Sequence, residues 1–334
     1  MIIIKIVLIF FLSLLLSWRG TPMAREAALR FGIVDRPDGR LKTQREPVPY
    51  LGGLSIFISF LVSLAMVFEF ERQVLGLLLG GSLVVLLGLV DDFGVLTPAV
   101  KFSGQFLAAS CLVKSGVQMH LSFLPETMNI VLTVIWLIGI TNAFNIIDIM
   151  DGLSAGVALV ASIFLLAVSV INEHQSIAII TAALAGSLCG FIRYNYHPAK
   201  IYMGDTGSLF IGLMLGSLSI TGQYTLNHRF AFITPLFLLG VPIFDTLFVM
   251  IMRARHRRSM FLGSRDHAAL RLRKVGLSTS ETVNLFYVAA VLLGVLAFLN
   301  IFGNERMSIV IGGGVLLAAI ASGIALARID VEST

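Results

Sequence analysis

Eleven separate apolar runs, each close to the length a helix needs to cross a bilayer, constrain this chain more than any other feature. They cover approximately 1–18, 51–68, 74–90, 102–117, 129–144, 156–171, 177–192, 208–222, 230–252, 283–301 and 308–327. A hydrocarbon core of about 30 Å takes roughly 20 helical residues, and inside it every backbone amide must find its partner within the protein. The expected fold class is therefore all-α: a polytopic integral membrane protein of about 11 transmembrane helices, with 1–334 as a single transmembrane domain. Composition agrees, since 57% of the residues are hydrophobic and 13% are charged, with a mean hydropathy of +0.93.

The opening segment, "MIIIKIVLIFFLSLLLSW", lacks a small-residue cleavage site and is followed by Arg19, Arg25 and Arg30. It reads as an uncleaved first span with its N-terminus outside. On that parity 19 of the 24 Lys and Arg residues fall in inner loops, the bias that orients membrane proteins. The formal charge of +5 is then a positive-inside signature, and no nucleic-acid partner is expected. Cys111 and Cys189 sit in apolar runs without metal-ligand spacing and read as core residues. The expected location is the inner (plasma) membrane, with the C-terminus inside.

The same parity places "DD" (Asp91, Asp92), "NAFNIIDIMDG", "RYNYHPAKIYMGDTGS" and the basic loop 253–280 together on the cytoplasmic side. Carboxylates of an ion pathway more often lie near mid-bilayer between helices. Here they gather at one mouth, which points to a cytoplasmic active-site cleft. Asn142, Asn145 and Asp148 are spaced by three, so on a helix they share one slowly drifting face, with Asp151 close behind and Gly152 and Gly156 permitting a turn. That ladder reads either as a wetted helix end or as a ligand and metal face. Asp91 and Asp92 repel each other unless a cation relieves them. Asp205 and Ser208, around Gly204 and Gly207, suit a helix cap or an anion and metal site. An all-oxygen set of Asp and Asn side chains suits a hard cation better than zinc.

Five ordered motifs, "VDRPDGRLKTQREPVPYLGG", "LVDDFGVLTPAVKFSGQ", "NAFNIIDIMDGLSAG", "NYHPAKIYMGDTGSLFIG" and "VPIFDTLFVMIMRA", make the chain resemble the polyprenyl-phosphate N-acetylhexosamine-1-phosphate transferases. These are the glycosyltransferase family 4 enzymes of the WecA, TagO and MraY type, and eleven spans resemble the WecA and TagO branch most. The resemblance implies transfer of a sugar 1-phosphate from a UDP-sugar to a polyprenyl phosphate such as undecaprenyl phosphate. The products are a polyprenyl-diphosphate sugar and UMP, and the step starts a cell-envelope glycan. It implies Mg²⁺, with Mn²⁺ as the alternative ion, and allows a homodimer. By motif matching, Asn145 and Asp205 are the implied metal ligands, and Asp91 and Asp92 the acceptor-side carboxylates, either of which is open as base. Lys101 and Lys42 are implied to neutralise phosphate oxygens, and Asn142, Asp148, Asp151 and Asn195 to line the nucleotide part of the cleft.

Two departures from the family pattern stand out. A His-x-His-His run is reduced to His267, followed by Ala268, Ala269 and Leu270, and Gln44 stands near the place of another histidine. Arg265 and Arg271, with Arg273, are the expected replacement contacts for the diphosphate, beside His267, because a guanidinium fork suits phosphate. The competing readings are a transporter of anionic solute and a catalytically silent membrane scaffold.

Overall fold

The computed structural model describes residues 2–35, 47–67, 71–222, 229–257 and 266–329. Each of the eleven apolar runs is helical. In the first compact unit, Met1–Gly222, the helices are α1 (Ile2–Phe31), α2 (Gly52–Ala65), α3 (Arg72–Asp92), α4 (Pro98–Ser115), α5 (Glu126–Ile147), α6 (Leu153–Ile171), α7 (Gln175–Asn195) and α8 (Gly204–Thr221). A two-residue antiparallel pair, β1 (Val34–Asp35) with β2 (Val48–Pro49), precedes α2. The second unit, Gln223–Thr334, carries a 3-10 turn (Arg229–Ile233) leading into α9 (Thr234–Leu238), then α10 (Gly240–Arg255), α11 (Ala268–Lys274), α12 (Thr279–Phe302) and α13 (Glu305–Ala327).

Seven of these helices, α1, α3, α5, α6, α7, α12 and α13, are long and apolar enough to cross a membrane, and the stretch through α9 and α10 adds an eighth if it counts as one span. The chain is an all-α multi-pass membrane protein. The expected run 230–252 is broken, with a 76° bend between its two halves. Pro242 explains the break: it has no N–H for the carbonyl of Leu238, and its ring excludes a continuous helix there.

Of the three remaining runs, α2 and α8 are short or polar with protein around much of them, whereas α4 is polar at its start and buries only the face of Gln105, Ala108, Ala109 and Leu112. In α8 every residue of 206–219 is buried. Its serines are satisfied locally, Ser217 donating to the Leu213 carbonyl at 2.6 Å and Ser219 to the Gly216 carbonyl at 2.9 Å. Neighbours approach it closely. A Cβ at Gly212 would lie 2.7 Å from the Thr141 Cα of α5, and Trp136 of α5 donates its Nε1 to the Gly216 carbonyl at 3.0 Å. A central helix held this way is a rigid support for whatever its N-terminus carries.

Candidate active site

Lys101 sits one turn into α4 because of a short, well-capped connection. α3 ends at Asp92, Thr97 accepts from the Val100 N–H at 3.4 Å, and Pro98 occupies the first helical turn, where its missing N–H costs nothing. The hairpin sets Lys101 abreast of Asp91. Its ammonium lies 2.7 Å from Asp91 Oδ2 and 2.5 Å from Asp205 Oδ2, and it donates to Asn145 Oδ1 at 3.2 Å. Oxygens from α3, α5 and α8 thus converge on one cation. Asn145 completes the arrangement by donating its Nδ2 to Asp205 Oδ1 at 2.8 Å and to Ser208 Oγ at 2.9 Å. The side chains remain 14% (Asp91), 18% (Lys101) and 31% (Asp205) exposed, so a ligand can reach them.

Asp92 does something different. Its Oδ1 accepts from the Asp205 backbone N–H at 2.6 Å, and its Oδ2 accepts from the Thr206 N–H at 3.2 Å and the Thr206 hydroxyl at 2.6 Å. α8 has no capping side chain of its own. A carboxylate from the neighbouring helix therefore satisfies the orphan donors and faces the positive end of the helix dipole. Two glycines make this approach possible. Gly204 has φ +71°, and a Cβ there would lie 2.7 Å from Asp92 Oδ2, while a Cβ at Gly88 would lie 2.5 Å from the Asp205 carbonyl. Adjacent aspartates thus point about 100° apart around α3: one faces the lysine and the other fixes the backbone that carries Asp205.

α5 stops at Ile147, so the expected helical ladder ends before Asp148. The backbone tightens there, with Ile149 N–H donating to the Ile147 carbonyl at 2.8 Å, and Gly152 at φ +77° opens α6. Asp148 lies in this turn. Burial above all, then the charges of Asp205, Asp92 and Asp151, push its carboxyl up from 3.8 to about 8. Asp151 and Asn195 stitch the turn to the loop before α8. Asp151 Oδ2 accepts from the Ala199 N–H at 3.0 Å and meets His197 Nδ1 at 2.7 Å. Asn195 accepts from Gly152 N–H at 3.1 Å and donates to the Ile201 carbonyl at 3.0 Å. In that loop the Tyr202 hydroxyl is pushed up to about 12, by burial first and then by Asp151, Asp35 and Asp148.

Asn142 lies a turn deeper. It donates to Gln105 Oε1 at 2.7 Å and to the Ile138 carbonyl at 2.8 Å, and accepts from Gln105 Nε2 at 3.2 Å. This reciprocal amide pair ties α4 to α5. Sequence reasoning did not single out Gln105 or Thr206. Their signals are positional: Gln105 lies four residues after Lys101, on the same face of α4, and Thr206 follows Asp205 in the first turn of a helix without its own cap. Lys42 and Arg265 lie outside the described residues.

His267 and Arg271 belong to the second unit. His267 Nδ1 is 2.8 Å from Asp245 Oδ2, and Asp245 Oδ1 accepts from the Ala268 N–H at 2.9 Å, so Asp245 caps α11. Arg271 donates to Asp266 Oδ1 at 3.2 Å, to the Leu326 carbonyl at 3.3 Å and to the Ile329 carbonyl. All four side chains are buried. Asp245 was also missed in the sequence. A lone carboxylate in the apolar helix "VPIFDTLFVM" is its signal, since such a group needs a partner.

Among the described residues, no three Asp, Glu, His or Cys side chains form a ready metal cluster. The donor set nevertheless fits a magnesium ion, which takes one or two carboxylates and completes its shell with water and substrate phosphate. Asp205 and Asn145 present oxygens on one side of the site, and Lys101 shows that those oxygens already converge on positive charge.

The family model described as Glycosyl transferase family 4 matches residues 74–223, which contain this whole cluster. A Bacillus subtilis (strain 168) protein named "Probable undecaprenyl-phosphate N-acetylglucosaminyl 1-phosphate transferase" is 35% identical, over 88% of this chain and 84% of its own length. The decaprenyl-phosphate N-acetylglucosaminephosphotransferase of Mycolicibacterium smegmatis is 31% identical, over 97% of this chain and 89% of its own. The undecaprenyl-phosphate alpha-N-acetylglucosaminyl 1-phosphate transferase of Thermotoga maritima is 30% identical, over 76% and 77%. The chain therefore belongs to glycosyl transferase family 4, among its polyprenyl-phosphate N-acetylhexosamine-1-phosphate transferases.

Proposed function

We propose that this transferase moves N-acetylhexosamine 1-phosphate from a UDP-sugar to undecaprenyl phosphate, with Mg²⁺, at the cytoplasmic face of the inner membrane. One observation carries the reading: Asp91, Asp205 and Asn145 direct oxygens at a single lysine ammonium, at the end of an apolar helical bundle. In the reaction a phosphate oxygen of the lipid attacks the phosphorus bonded to the sugar. The bond from that phosphorus to the bridging oxygen breaks, and UMP leaves with that oxygen. Both partners are anionic, so catalysis must gather and align like charges.

The chain's own residues divide that task. Lys101 neutralises phosphate oxygens when its ammonium turns from the two carboxylates to the substrate. Asp91, released from the ion pair, is the carboxylate next to the acceptor phosphate. Asp92 acts as a positioning residue: by capping α8 it holds Asp205 and Ser208 in register with Asn145. Asp205 and Asn145 are the residues that would hold Mg²⁺. A bound divalent ion supplies charge neutralisation on the diphosphate and on the departing UMP.

The one-sided gathering of carboxylates around Lys101 favours this over solute transport, and the intact cluster favours it over a silent scaffold. The test is UMP release by purified protein given undecaprenyl phosphate, Mg²⁺ and a panel of UDP-sugars. Release with a UDP-N-acetylhexosamine, lost in EDTA and restored by Mg²⁺, is the expected result. No release with any donor would overturn the proposal.

A further inference from the structure

A second basic site lies where α7 ends against the side of α1, which runs on past it to Phe31. The two helices touch backbone to backbone because α7 offers glycines four residues apart. A Cβ at Gly186 would lie 2.2 Å from the Phe10 carbonyl oxygen, and one at Gly190 would lie 2.5 Å from that of Leu14. Ser13 seals the contact by donating to the Ala183 carbonyl at 2.7 Å. This packing places Trp18 beside the last turn of α7, with the guanidinium groups of Arg19 and Arg193 each 5.7 Å from its ring centroid. One turn further on, Thr21, Pro22, Arg25, Tyr194, Lys200 and Ile201 line an open cavity of about 390 Å³.

The cavity's chemistry is one-sided. Arg25 and Lys200 are exposed, Arg25 is anchored by its Nε to the Lys200 carbonyl at 3.1 Å, and no carboxylate is among the described lining residues. Among the described residues, Arg19, Arg25, Arg193 and Lys200 make no ion pair. Depth in the membrane follows from α1 itself. Before Trp18 the helix turns Ile4, Leu8, Phe11 and Leu15 outward, with exposures of 64%, 61%, 55% and 49%, as a lipid-facing surface does. After Trp18 charged residues enter the outward face, with Arg19, Arg25, Glu26 and Arg30 set among Met23, Leu29 and Phe31. A tryptophan at such a change marks the interface between hydrocarbon and headgroups, and the cavity opens on the headgroup side.

We propose that this cavity binds the phosphodiester headgroup of an anionic phospholipid. Arg25 and Lys200 take the phosphate, the Tyr194 hydroxyl is a further donor, and the acyl chains run along the outward face of α1. Basic pockets between membrane helices recognise anionic lipid headgroups by this chemistry. Among the described residues no hydrogen bond joins a lining side chain to Asp91, Asp92, Lys101, Asn145 or Asp205, and Asn195 reaches the cavity wall only at the backbone, by donating to the Ile201 carbonyl.

The test titrates the full chain in a non-ionic detergent with dioctanoyl phosphatidylglycerol, dioctanoyl phosphatidylcholine or inorganic phosphate. Bound lipid is read by native mass spectrometry and stability by thermal unfolding. Phosphatidylglycerol is expected to bind at least tenfold more tightly than phosphatidylcholine and to raise the unfolding temperature, with no such rise from inorganic phosphate. The double variant Arg25→Gln, Lys200→Gln is expected to lose most of that tenfold preference while keeping the unliganded unfolding temperature. Arg30→Gln, an exposed change on the same helix outside the cavity, is expected to keep both. If the double variant proves unstable, Lys200→Gln alone should weaken the preference by about half on a logarithmic scale. Equal binding of the two lipids, or an undiminished preference in the variants, would overturn the site. An equal response to inorganic phosphate would make it a free-phosphate site and overturn the lipid assignment.

Discussion

Two clusters of carboxylates and cations, one in each unit, are built from nearly the same residue types and do opposite things. Around Lys101 the ion pairs are partly exposed, and a single ammonium is shared by three oxygens that have few other partners. Around Arg271 the charges are buried, and the guanidinium is committed to Asp266 and to the backbone carbonyls of Leu326 and Ile329. The first arrangement can exchange its internal partners for a ligand. The second cannot do so without exposing a buried carboxylate and two helix-end carbonyls. Charge in a membrane protein thus marks chemistry when its partners are exchangeable, and architecture when they are not.

The contrast is sharpest at Lys101. Lys101→Ala should cut turnover about a hundredfold or more, the usual cost of removing a positive donor from a transferring phosphoryl group. Its unfolding temperature should change little, because the lost pairs are partly solvated. UMP release normalised to folded protein, beside a thermal melt, checks both halves. A protein that melts much earlier but turns over normally would assign Lys101 to architecture.

Arg271→Ala should show the reverse. Breaking a buried pair from one side costs on the order of 3–5 kcal/mol, read as a large fall in unfolding temperature, with turnover per folded molecule largely kept. Normal stability with lost turnover would instead make Arg271 the diphosphate contact that the sequence suggested. Asp92→Asn lies between the two. It replaces a charged cap by a neutral one that accepts less well, at roughly 1 kcal/mol of stability. It should weaken Mg²⁺ dependence through the displaced Asp205, and Thr206→Val should reproduce part of the effect. A change in the pH profile of turnover from Asp92→Asn, with no change in Mg²⁺ dependence, would mean that Asp92 carries a proton rather than a helix end.

A further effect, read through pH, concerns Asp148. Its folded carboxyl titrates near 8 against an ordinary 3.8, so the folded chain holds a proton there that the unfolded chain releases. Stability from this group is full below about pH 4 and declines as pH rises towards 8. Melting temperatures in EDTA should therefore fall across pH 5 to 8, and Asp148→Asn should flatten part of that slope. An unchanged slope would place the Asp148 charge in water.

Much of this was legible in the sequence. The apolar runs all became helices, and the motifs that carry Asp91, Lys101, Asn145 and Asp205 supplied the cluster that the fold assembles. What stayed hidden depended on tertiary contacts. Nothing local separates Asp91 from Asp92; the start of α8 does, by docking against Gly88 and taking one of them as its cap. The spacing by three that suggested one helical face continued past the point where α5 ends, because the backbone of Ile147 and Ile149 turns before the next glycine. Arg271 was expected to be a diphosphate contact beside His267, and only its packing against the end of α13 shows it to be enclosed. The hydropathy of α2 and α8 understated what protein burial allows.

The central claim is that the chemistry belongs to the oxygens gathered at Lys101, and Asp205→Asn tests it most directly. The variant keeps the size of the side chain and the backbone N–H that Asp92 caps, but removes the charge offered to Lys101 and to Mg²⁺. Initial rates of UMP release should be followed across a Mg²⁺ titration with undecaprenyl phosphate and the best UDP-sugar, for wild type and Asp205→Asn at matched folded concentration. The expected result is a rate at least a hundredfold lower that saturating Mg²⁺ does not restore. A variant with wild-type rate and wild-type Mg²⁺ dependence would contradict the account.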